Sequence, residues 1–295
     1  MATANPTFHQ EGHIQVSGGR IWYGVAGELG TGKTPLMIIH GGPGMSHDYL
    51  LSLADLADER AVVFYDQLDA GRSDRPNDPK NWVVARFLDE IKGLRNALDL
   101  PRIVVFGNSW GGTLAAAYAA LRPAGLERLV LSSPLIATKR WITDNETHRI
   151  ALPNDVVTVM KECEAGGRTD APEYQAAVQI FYERHFCRLK PWPDNLLATF
   201  ETLNLECYFG MWGPNEFSCS GILKDYDGTN GLALIEVPTL VTCGEFDEAT
   251  PAACAHYASI IPRGEAVSFP NSSHLAFIEV PRAYIGRIRK FLAQG

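Results

Sequence analysis

The sequence lacks most features that mark membrane, secreted or nucleic-acid-binding proteins. Its longest apolar stretches, such as TLAAAYAAL, are too short to span a bilayer, so we expect no membrane partner. Its first residues, MATANPTFHQEGH, lack the basic and apolar segments of a secretory signal, which favours a cytoplasmic location. With 26 Lys and Arg against 34 Asp and Glu, the net charge of −8 disfavours a nucleic-acid partner.

Cysteine is scarce and scattered. The 295 residues contain six cysteines, and no two of them form a C-x-x-C pair. This spacing disfavours a zinc site and a compact disulfide framework, and it favours reduced thiols in a cytoplasmic protein. His9 and His13 have the spacing H-x-x-x-H, but they lie in a predicted loop and at a strand start, without a helix to align them. We therefore predict no metal site.

Short apolar runs alternate with helix-length segments over the first half of the chain and again near its end. The runs are PLMIIH (35–40), AVVFYD (61–66), RIVVFG (102–107), RLVLSS (128–133), VPTLVTCG (237–244) and EAVSFP (265–270). Apolar runs without polar alternation, separated by helices, are typical of strands buried on both faces of a parallel sheet. The sequence therefore predicts an α/β fold, preceded by a strand pair formed by HIQVSG and RIWYGVAG.

The alternation stops near Pro134 and returns after residue 232. The segment between is rich in helix formers and aromatic residues, and it contains no apolar run comparable to those above. We interpret residues 135–232 as a mostly helical insertion, and residues 1–134 and 233–295 as two parts of one α/β core.

The stretch GELGTGKT, Gly27 to Thr34, matches the phosphate-binding pattern G-x-x-x-x-G-K-[ST]. Such a loop binds phosphate where a strand leads in and a helix follows, because the helix N-terminus supplies free N–H groups. Here the apolar run PLMIIH follows, which predicts a second strand. We interpret the stretch as a connection between strands with Lys33 in solvent, and nucleotide binding as the disfavoured alternative.

GNSWGG (107–112) contains the pattern G-x-S-x-G, after the predicted strand RIVVF and before the predicted helix TLAAAYAAL. A sharp turn between strand and helix would lift Ser109 above the edge of the sheet, and small neighbours leave room for that turn. This context favours a nucleophilic serine over a glycine-rich loop with an incidental serine.

A serine hydroxyl needs a base and an orienting acid, which on such a sheet follow it on loops after later strands. His274, in PNSSHL, follows the last predicted strand, and GEFDEAT follows the strand before it. We assign His274 as the general base and Asp247 as the acid that orients it. Glu245, two residues away, is a competitor for the second role.

HGGPG (40–44) follows the predicted strand LMII, a neighbour of the serine strand. Glycines let a backbone N–H approach a substrate oxygen, so this loop is suited to an oxyanion hole. We predict that the N–H groups of Gly42 and Trp110 stabilise the oxyanion. A tight structural turn is the alternative interpretation, and it is compatible with this role.

These motifs together resemble the prolyl aminopeptidase (proline iminopeptidase) family of α/β-hydrolases, over nearly the whole chain. The matching segments are HGGPG (40–44), YDQLDAGRSD (65–74), GNSWGG (107–112), GEFDEATP (244–251) and SSH (272–274). CRLKPWP (187–193) and MWGPNEF (211–217) are similar to cap segments of the aminopeptidase and amino-acid amidase branch.

The resemblance implies an α/β-hydrolase fold with a helical cap, formed by residues 135–232, over the site. It implies hydrolysis of an amide bond after an N-terminal residue, often proline, without a metal or an organic cofactor. The partner is then a small peptide or an amino-acid amide with a free N-terminus. The resemblance implies that the carboxylates of Glu216 and Glu248 hold the substrate amine, with Tyr208 as a further candidate for substrate binding.

One departure from the family pattern concerns the loop DQLDAGRS. Relatives usually read D-Q-x-G-x-G-x-S, whereas Asp69 and Ala70 stand here before Gly71, so the first glycine is missing. If that position is left-handed, Asp is among the tolerated replacements. A reshaped loop would affect substrate preference more than the triad.

Our hypothesis is a serine hydrolase that cleaves the amide bond after an unblocked N-terminal amino acid through an acyl-enzyme. Three alternatives remain: an esterase or lactonase acting on a natural product, a catalytically silent receptor on the same fold, and a nucleotide-binding protein. The oligomeric state stays open.

Overall fold

The computed structural model describes residues 6–294, which form an eight-stranded sheet in the order β1-β2-β4-β3-β5-β6-β7-β8. The strands are β1 (Gln10–Val16), β2 (Gly19–Ala26), β3 (Leu36–Ile39), β4 (Val62–Tyr65), β5 (Ile103–Asn108), β6 (Leu126–Ser132), β7 (Thr239–Gly244) and β8 (Gly264–Phe269). β2 pairs antiparallel with β1 and with β4, and all other pairs are parallel.

The central strands are buried along their whole length, as their unbroken apolar runs predict. Every residue of β3, β4, β5 and β7 is buried, because helices cover both faces of the sheet. The edge strand β1 instead alternates between exposed and half-buried residues. The predicted α/β fold with a mostly parallel sheet is therefore confirmed.

Eleven α-helices and two 3₁₀ helices lie within residues 6–294. The α-helices are α1 (Val84–Ala97), α2 (Trp110–Ala120), α3 (Thr138–Ile150), α4 (Asn154–Ala165), α5 (Pro172–His185), α6 (Asp194–Glu201), α7 (Leu205–Met211), α8 (Thr229–Leu232), α9 (Pro251–Ile260), α10 (Ala276–Glu279) and α11 (Pro281–Leu292). The 3₁₀ helices span Asp48–Asp58 and Pro79–Asn81. None of these helices is long and apolar enough to cross a bilayer.

Helices α3 to α8 all lie between β6 and β7, and we call residues 135–232 the cap segment. Part of it has an apolar cluster of its own, separate from the clusters on the two faces of the sheet. That cluster is formed by Leu152, Val156, Met160, Cys163, Tyr174, Ala177, Val178, Phe181 and Phe217. The helices therefore agree with the predicted composition of the insertion, while its status as a separate domain stays a prediction.

The stretch Gly27–Thr34 connects β2 to β3, so a strand and not a helix follows it. Within the stretch, Gly27, Gly30 and Gly32 have φ of 78°, 80° and 88°, a region that favours glycine. The prediction of a connection between two strands is confirmed, and the helix N-terminus that a phosphate loop requires is not at this place in the chain.

Because the parallel strands share one direction, the loops that leave their carboxyl ends meet at one edge of the sheet. These loops are the ones after β3, β4, β5, β7 and β8, and they carry every motif singled out above for the core. All six cysteines are free thiols. Among residues 6–294, no three His, Cys, Asp or Glu side chains are grouped so that they could hold a metal ion.

Candidate active site

Ser109 lies at the sharp turn between β5 and α2, with φ 55° and ψ −121°. This strained conformation is held by backbone hydrogen bonds of the Ser109 N–H and carbonyl. The Ser109 N–H donates to the Ser132 carbonyl at 3.0 Å, and the Ser109 carbonyl accepts from the Gly112 and Leu135 N–H groups at 2.8 and 3.1 Å. A Cβ at Gly111 would collide with the Ile39 carbonyl oxygen, which explains the glycine at that point of the turn. The local geometry is that of a nucleophile elbow.

His274 and Asp247 form a buried pair. The His274 Nδ1 lies 2.8 Å from the Asp247 Oδ1, so the ring donates to the carboxylate and its Nε2 is left to face the pocket. Glu245 is exposed instead, and its Oε2 accepts from the Asn271 N–H at 2.9 Å. Of the two acids that the sequence left in competition, Asp247 is therefore the one in contact with the imidazole.

Three further donors hold the Asp247 carboxylate. The Ser133 Oγ–H donates to Oδ2 at 2.6 Å, the Gly244 N–H to Oδ2 at 2.9 Å, and the Ala249 N–H to Oδ1 at 2.8 Å. Together with His274, they occupy both oxygens with two partners each. The sequence did not point to Ser133, because a serine just after β6 carries no local signal that it contacts a loop over a hundred residues later.

Two aromatic side chains of the cap segment enclose the His274 ring. Phe186 stacks on it with ring centroids 5.6 Å apart at 25°, and Trp141 meets it edge-on at 5.6 Å and 86°. The ring is only 2% exposed as a result. The cap segment thus shields the imidazole from water on both sides.

A small pocket of about 20 Å³ joins the residues that the sequence singled out. Its lining includes Ser109, His274, Gly42, Glu216 and Glu248. Phe186 and Met45 add apolar wall. Five of the eight predicted site residues therefore share one cavity. The other three are buried and adjoin its lining: Trp110 follows Ser109, Asp247 bonds His274, and Tyr208 bonds Glu216.

The loop after β3 is fixed by a chain of hydrogen bonds. The Gly41 N–H donates to the Tyr49 Oη at 2.7 Å, and that hydroxyl donates to the Asn108 Oδ1 at 2.7 Å. Gly42, with φ 113°, keeps an N–H that has no hydrogen-bond partner among residues 6–294. Trp110 opens α2, where the first N–H groups of a helix have no partner within it. The role of these two N–H groups as oxyanion donors stays a prediction.

Gln67 of the loop after β4 connects this glycine loop to the residue after the serine. Its N–H donates to the His40 Nε2 at 2.9 Å, its amide N–H to the His40 carbonyl at 2.8 Å, and its Oε1 accepts from the Trp110 Nε1 at 2.9 Å. The motif was visible in the sequence, but this positioning role was not, since it depends on contacts between three separate loops.

Asp69, which replaces the usual glycine, is left-handed with φ 65° and completely buried. Its carboxylate accepts from the Asn77 N–H at 2.7 Å and the Trp82 Nε1 at 2.9 Å. The residue therefore tolerates the conformation, as expected for an aspartate there, and it adds two anchors that glycine could not supply.

Two carboxyl groups enter the pocket, that of the buried Glu248 and that of the half-buried Glu216. The Tyr208 hydroxyl donates to the Glu216 Oε1 at 2.6 Å, whereas the Glu248 Oε1 has no partner among residues 6–294. The Glu248 Oε2 lies 3.8 Å from the His274 Nδ1. Burial raises the pKa of both groups, and the negative charges of Glu216 and Asp247 raise the pKa of Glu248 further.

Comparison with known proteins agrees with this geometry. The family model described as alpha/beta hydrolase fold matches residues 34–281. A proline iminopeptidase of Heyndrickxia coagulans is 41% identical over 285 residues, which cover 96% of this chain and 99% of that protein.

Two solved structures are similar over almost their whole length. VinJ is 38% identical with a TM-score of 0.94, covering 97% of this chain and 99% of that one. Proline iminopeptidase of Mycobacterium smegmatis is 33% identical with a TM-score of 0.90, covering 96% and 97%. The chain therefore belongs to the proline iminopeptidase family of α/β-hydrolases, as its motifs predicted.

Proposed function

We propose that this protein is a serine aminopeptidase or amino-acid amidase that releases an N-terminal residue carrying a free amino group. The observation that carries the proposal is the pair of carboxyl groups, of the half-buried Glu216 and the buried Glu248, in the cavity that Ser109 and His274 also line. No Lys or Arg within residues 6–294 forms an ion pair with either carboxyl group. A cationic substrate amine would supply the missing positive charge.

The proposed reaction follows from the positions of the triad. His274 takes the proton of the Ser109 hydroxyl as that oxygen attacks the substrate carbonyl, and the imidazolium is stabilised by Asp247 at 2.8 Å. The N–H groups of Gly42 and Trp110 stabilise the oxyanion. His274 then protonates the leaving amine. In the second half of the reaction His274 takes a proton from a water molecule as that water attacks the acyl-enzyme, and the proton passes to the Ser109 oxygen as the acyl group leaves.

Selection of a free amine follows from elementary electrostatics. An α-amine has a pKa of about 7.7–8.0, so about half or more of it is cationic at neutral pH. When the cationic amine binds in the pocket, its positive charge favours ionisation of the neighbouring Glu248. The hydrogen bond from Tyr208 keeps the Glu216 carboxyl group directed at the same space. An acetylated amine has no charge and is larger, so it would leave both carboxyl groups without a positive partner.

The first residue of the substrate contacts apolar walls in this proposal. Phe186 and Met45 flank the pocket, which suits the ring of proline. Relatives named proline iminopeptidase support that choice. Whether the residue leaves a peptide or a simple amide stays open in the proposal. A cytoplasmic location is part of it, since six free thiols are typical of a reducing compartment.

Comparison of a prolyl anilide with its N-acetylated form tests the proposed function. We expect kcat/KM to fall by at least about 10³-fold on acetylation, because a blocked amine leaves the two carboxyl groups of the pocket without a positive partner. An anilide of a neutral acid of the same size, without the amine, is the control for bulk. Equal rates on the free and acetylated substrates would contradict amine recognition and favour an esterase or lactonase activity.

The pH dependence of KM offers an independent test. The pKa values of both carboxyl groups are raised, so the groups become protonated and neutral at a higher pH than ordinary glutamates. Because neutral carboxyl groups attract the cationic amine less, KM rises as pH falls. Above a pH of about 8 the substrate amine loses its charge, so KM rises again. We expect a minimum of KM between these limits, measured with the prolyl anilide. An amine-free ester of similar size should show no rise on the alkaline side.

A further inference from the structure

We propose that His148 and His185, two stacked histidines of the cap segment, are positioning residues for the loop that carries the triad acid. The inference rests on the triad of the proposed function. It adds a role for the cap segment: its seating on the core sets the geometry of Asp247 and His274.

The two rings lie one on the other at the ends of two cap helices. His148 belongs to the last turn of α3, and His185 is the last residue of α5. Their ring centroids are 4.1 Å apart and the planes differ by 20°. Such a stack orders both rings together, since neither can turn without displacing the other.

Each ring donates to one of two consecutive carbonyl groups in the acid loop. The His185 Nδ1 lies 2.8 Å from the Phe246 carbonyl oxygen, and the His148 Nε2 lies 3.1 Å from the Asp247 carbonyl oxygen. A carbonyl oxygen only accepts, so the proton is on Nδ1 of His185 and on Nε2 of His148. The two hydrogen bonds fix both peptide planes on either side of the Asp247 Cα.

His185 also contacts the loop that carries the base. Its carbonyl oxygen accepts from the His274 N–H at 3.1 Å. The same residue of α5 therefore holds the acid loop with its side chain and the base loop with its backbone. Between these two loops lies the 2.8 Å hydrogen bond from the His274 ring to Asp247.

A second contact supports the same end of α5. Glu279 of α10 accepts from the Arg188 N–H at 2.6 Å on the cap side, and from the Ser273 Oγ–H at 2.9 Å on the core side. Burial and the neighbouring His148 lower the pKa of His185 to about 4, with Arg184 and Arg188 adding to the effect. The ring is thus neutral at neutral pH, and the stack carries no repulsion between two cations.

The test uses substitutions that keep or remove the donor at the same position. An asparagine amide places an N–H near the position of Nδ1, and a glutamine amide near that of Nε2. We compare His185→Asn with His185→Leu and His148→Gln with His148→Leu, and His256→Leu, an exposed histidine of α9, is the matched control. The measurements are kcat and KM with the aminoacyl anilide that the wild type cleaves fastest, and the thermal midpoint.

We expect both leucine variants to lose about 10- to 100-fold in kcat with KM within about twofold, because a displaced acid loop misaligns the base and not the substrate. The asparagine and glutamine variants should recover kcat to within about threefold of the wild type. Wild-type kcat in the leucine variants would overturn the inference. An amide variant as slow as its leucine partner at an equal midpoint would do the same. If a leucine variant does not fold, its amide partner is compared with the wild type instead. A kcat more than about threefold below the wild type at an equal thermal midpoint would then overturn the inference.

Failure of the positioning role can be distinguished from failure of the proposed function. A Ser109→Ala variant that is inactive beside fully active leucine variants contradicts the positioning role alone. A Ser109→Ala variant as active as the wild type contradicts the triad itself.

Discussion

Replacement of Ser109 by alanine is expected to lower kcat/KM on a prolyl anilide by about 10⁴- to 10⁶-fold. The Ser109 oxygen is the nucleophile in the proposed reaction, and the oxyanion donors and the pocket would remain. The fold should persist, because the backbone at φ 55° is held by hydrogen bonds of its N–H and carbonyl and not by its hydroxyl. Anilide hydrolysis and labelling with a fluorophosphonate, which both need the hydroxyl, measure the effect.

Ser259→Ala is the control, since Ser259 is an exposed serine of α9 outside the cavity. It should keep wild-type hydrolysis and labelling. A Ser109→Ala protein that still cleaves the anilide at more than about a hundredth of the wild-type rate would contradict an acyl-enzyme on this residue. A wild-type protein that binds substrate without cleaving it would instead favour the silent receptor.

The fold could be predicted because its signals are local. The strand LMII shows four apolar residues in a row, and all four are buried in β3 between helices on both faces. The serine elbow was equally legible, since strand, glycine and helix follow one another within a few residues of Ser109. The order of the nucleophile, acid and base loops then follows from the order of strands in a parallel sheet.

The rest of the site depends on contacts that no short stretch reveals. Tyr49, which holds Gly41, reaches Asn108 across 59 residues, and Ser133 reaches Asp247 across 114. The cap histidines are harder still, because a histidine near a helix end is usually a surface residue. Their meaning depends on how the cap segment is seated on the core, which is a tertiary property.

Asp69 shows where a departure from a pattern is informative. The sequence raised the question whether loss of a glycine reshapes the loop after β4. The left-handed φ of 65° and the bonds to Asn77 and Trp82 show a loop that keeps the backbone path and gains side-chain anchors. A polar residue that tolerates positive φ therefore replaces glycine without loss of the Gln67 contacts nearby.

Asp247→Asn is expected to lower kcat by about 10³- to 10⁴-fold with little change in KM. Each carboxylate oxygen accepts two hydrogen bonds, so an amide N–H₂ must face a donor whichever way it turns. Turned towards His274, it reverses the tautomer of the ring and removes the proton acceptor at Nε2. Turned towards Ser133, it keeps the tautomer but opposes the Gly244 N–H. In both cases the imidazolium loses its negative partner.

Glu245→Gln is the matched control, because it makes the same chemical change two residues away, on an exposed side chain that bonds the Asn271 N–H. It should keep kcat within about twofold. Glu248 is a second carboxyl group close to the ring, at 3.8 Å from the His274 Nδ1. Removal of the Asp247 charge would let Glu248 ionise more readily, since Asp247 raises its pKa. Partial compensation by Glu248 would therefore appear as a further loss of kcat in Asp247→Asn, Glu248→Gln. Equal losses for Glu245→Gln and Asp247→Asn would contradict the assignment of Asp247 as the orienting acid.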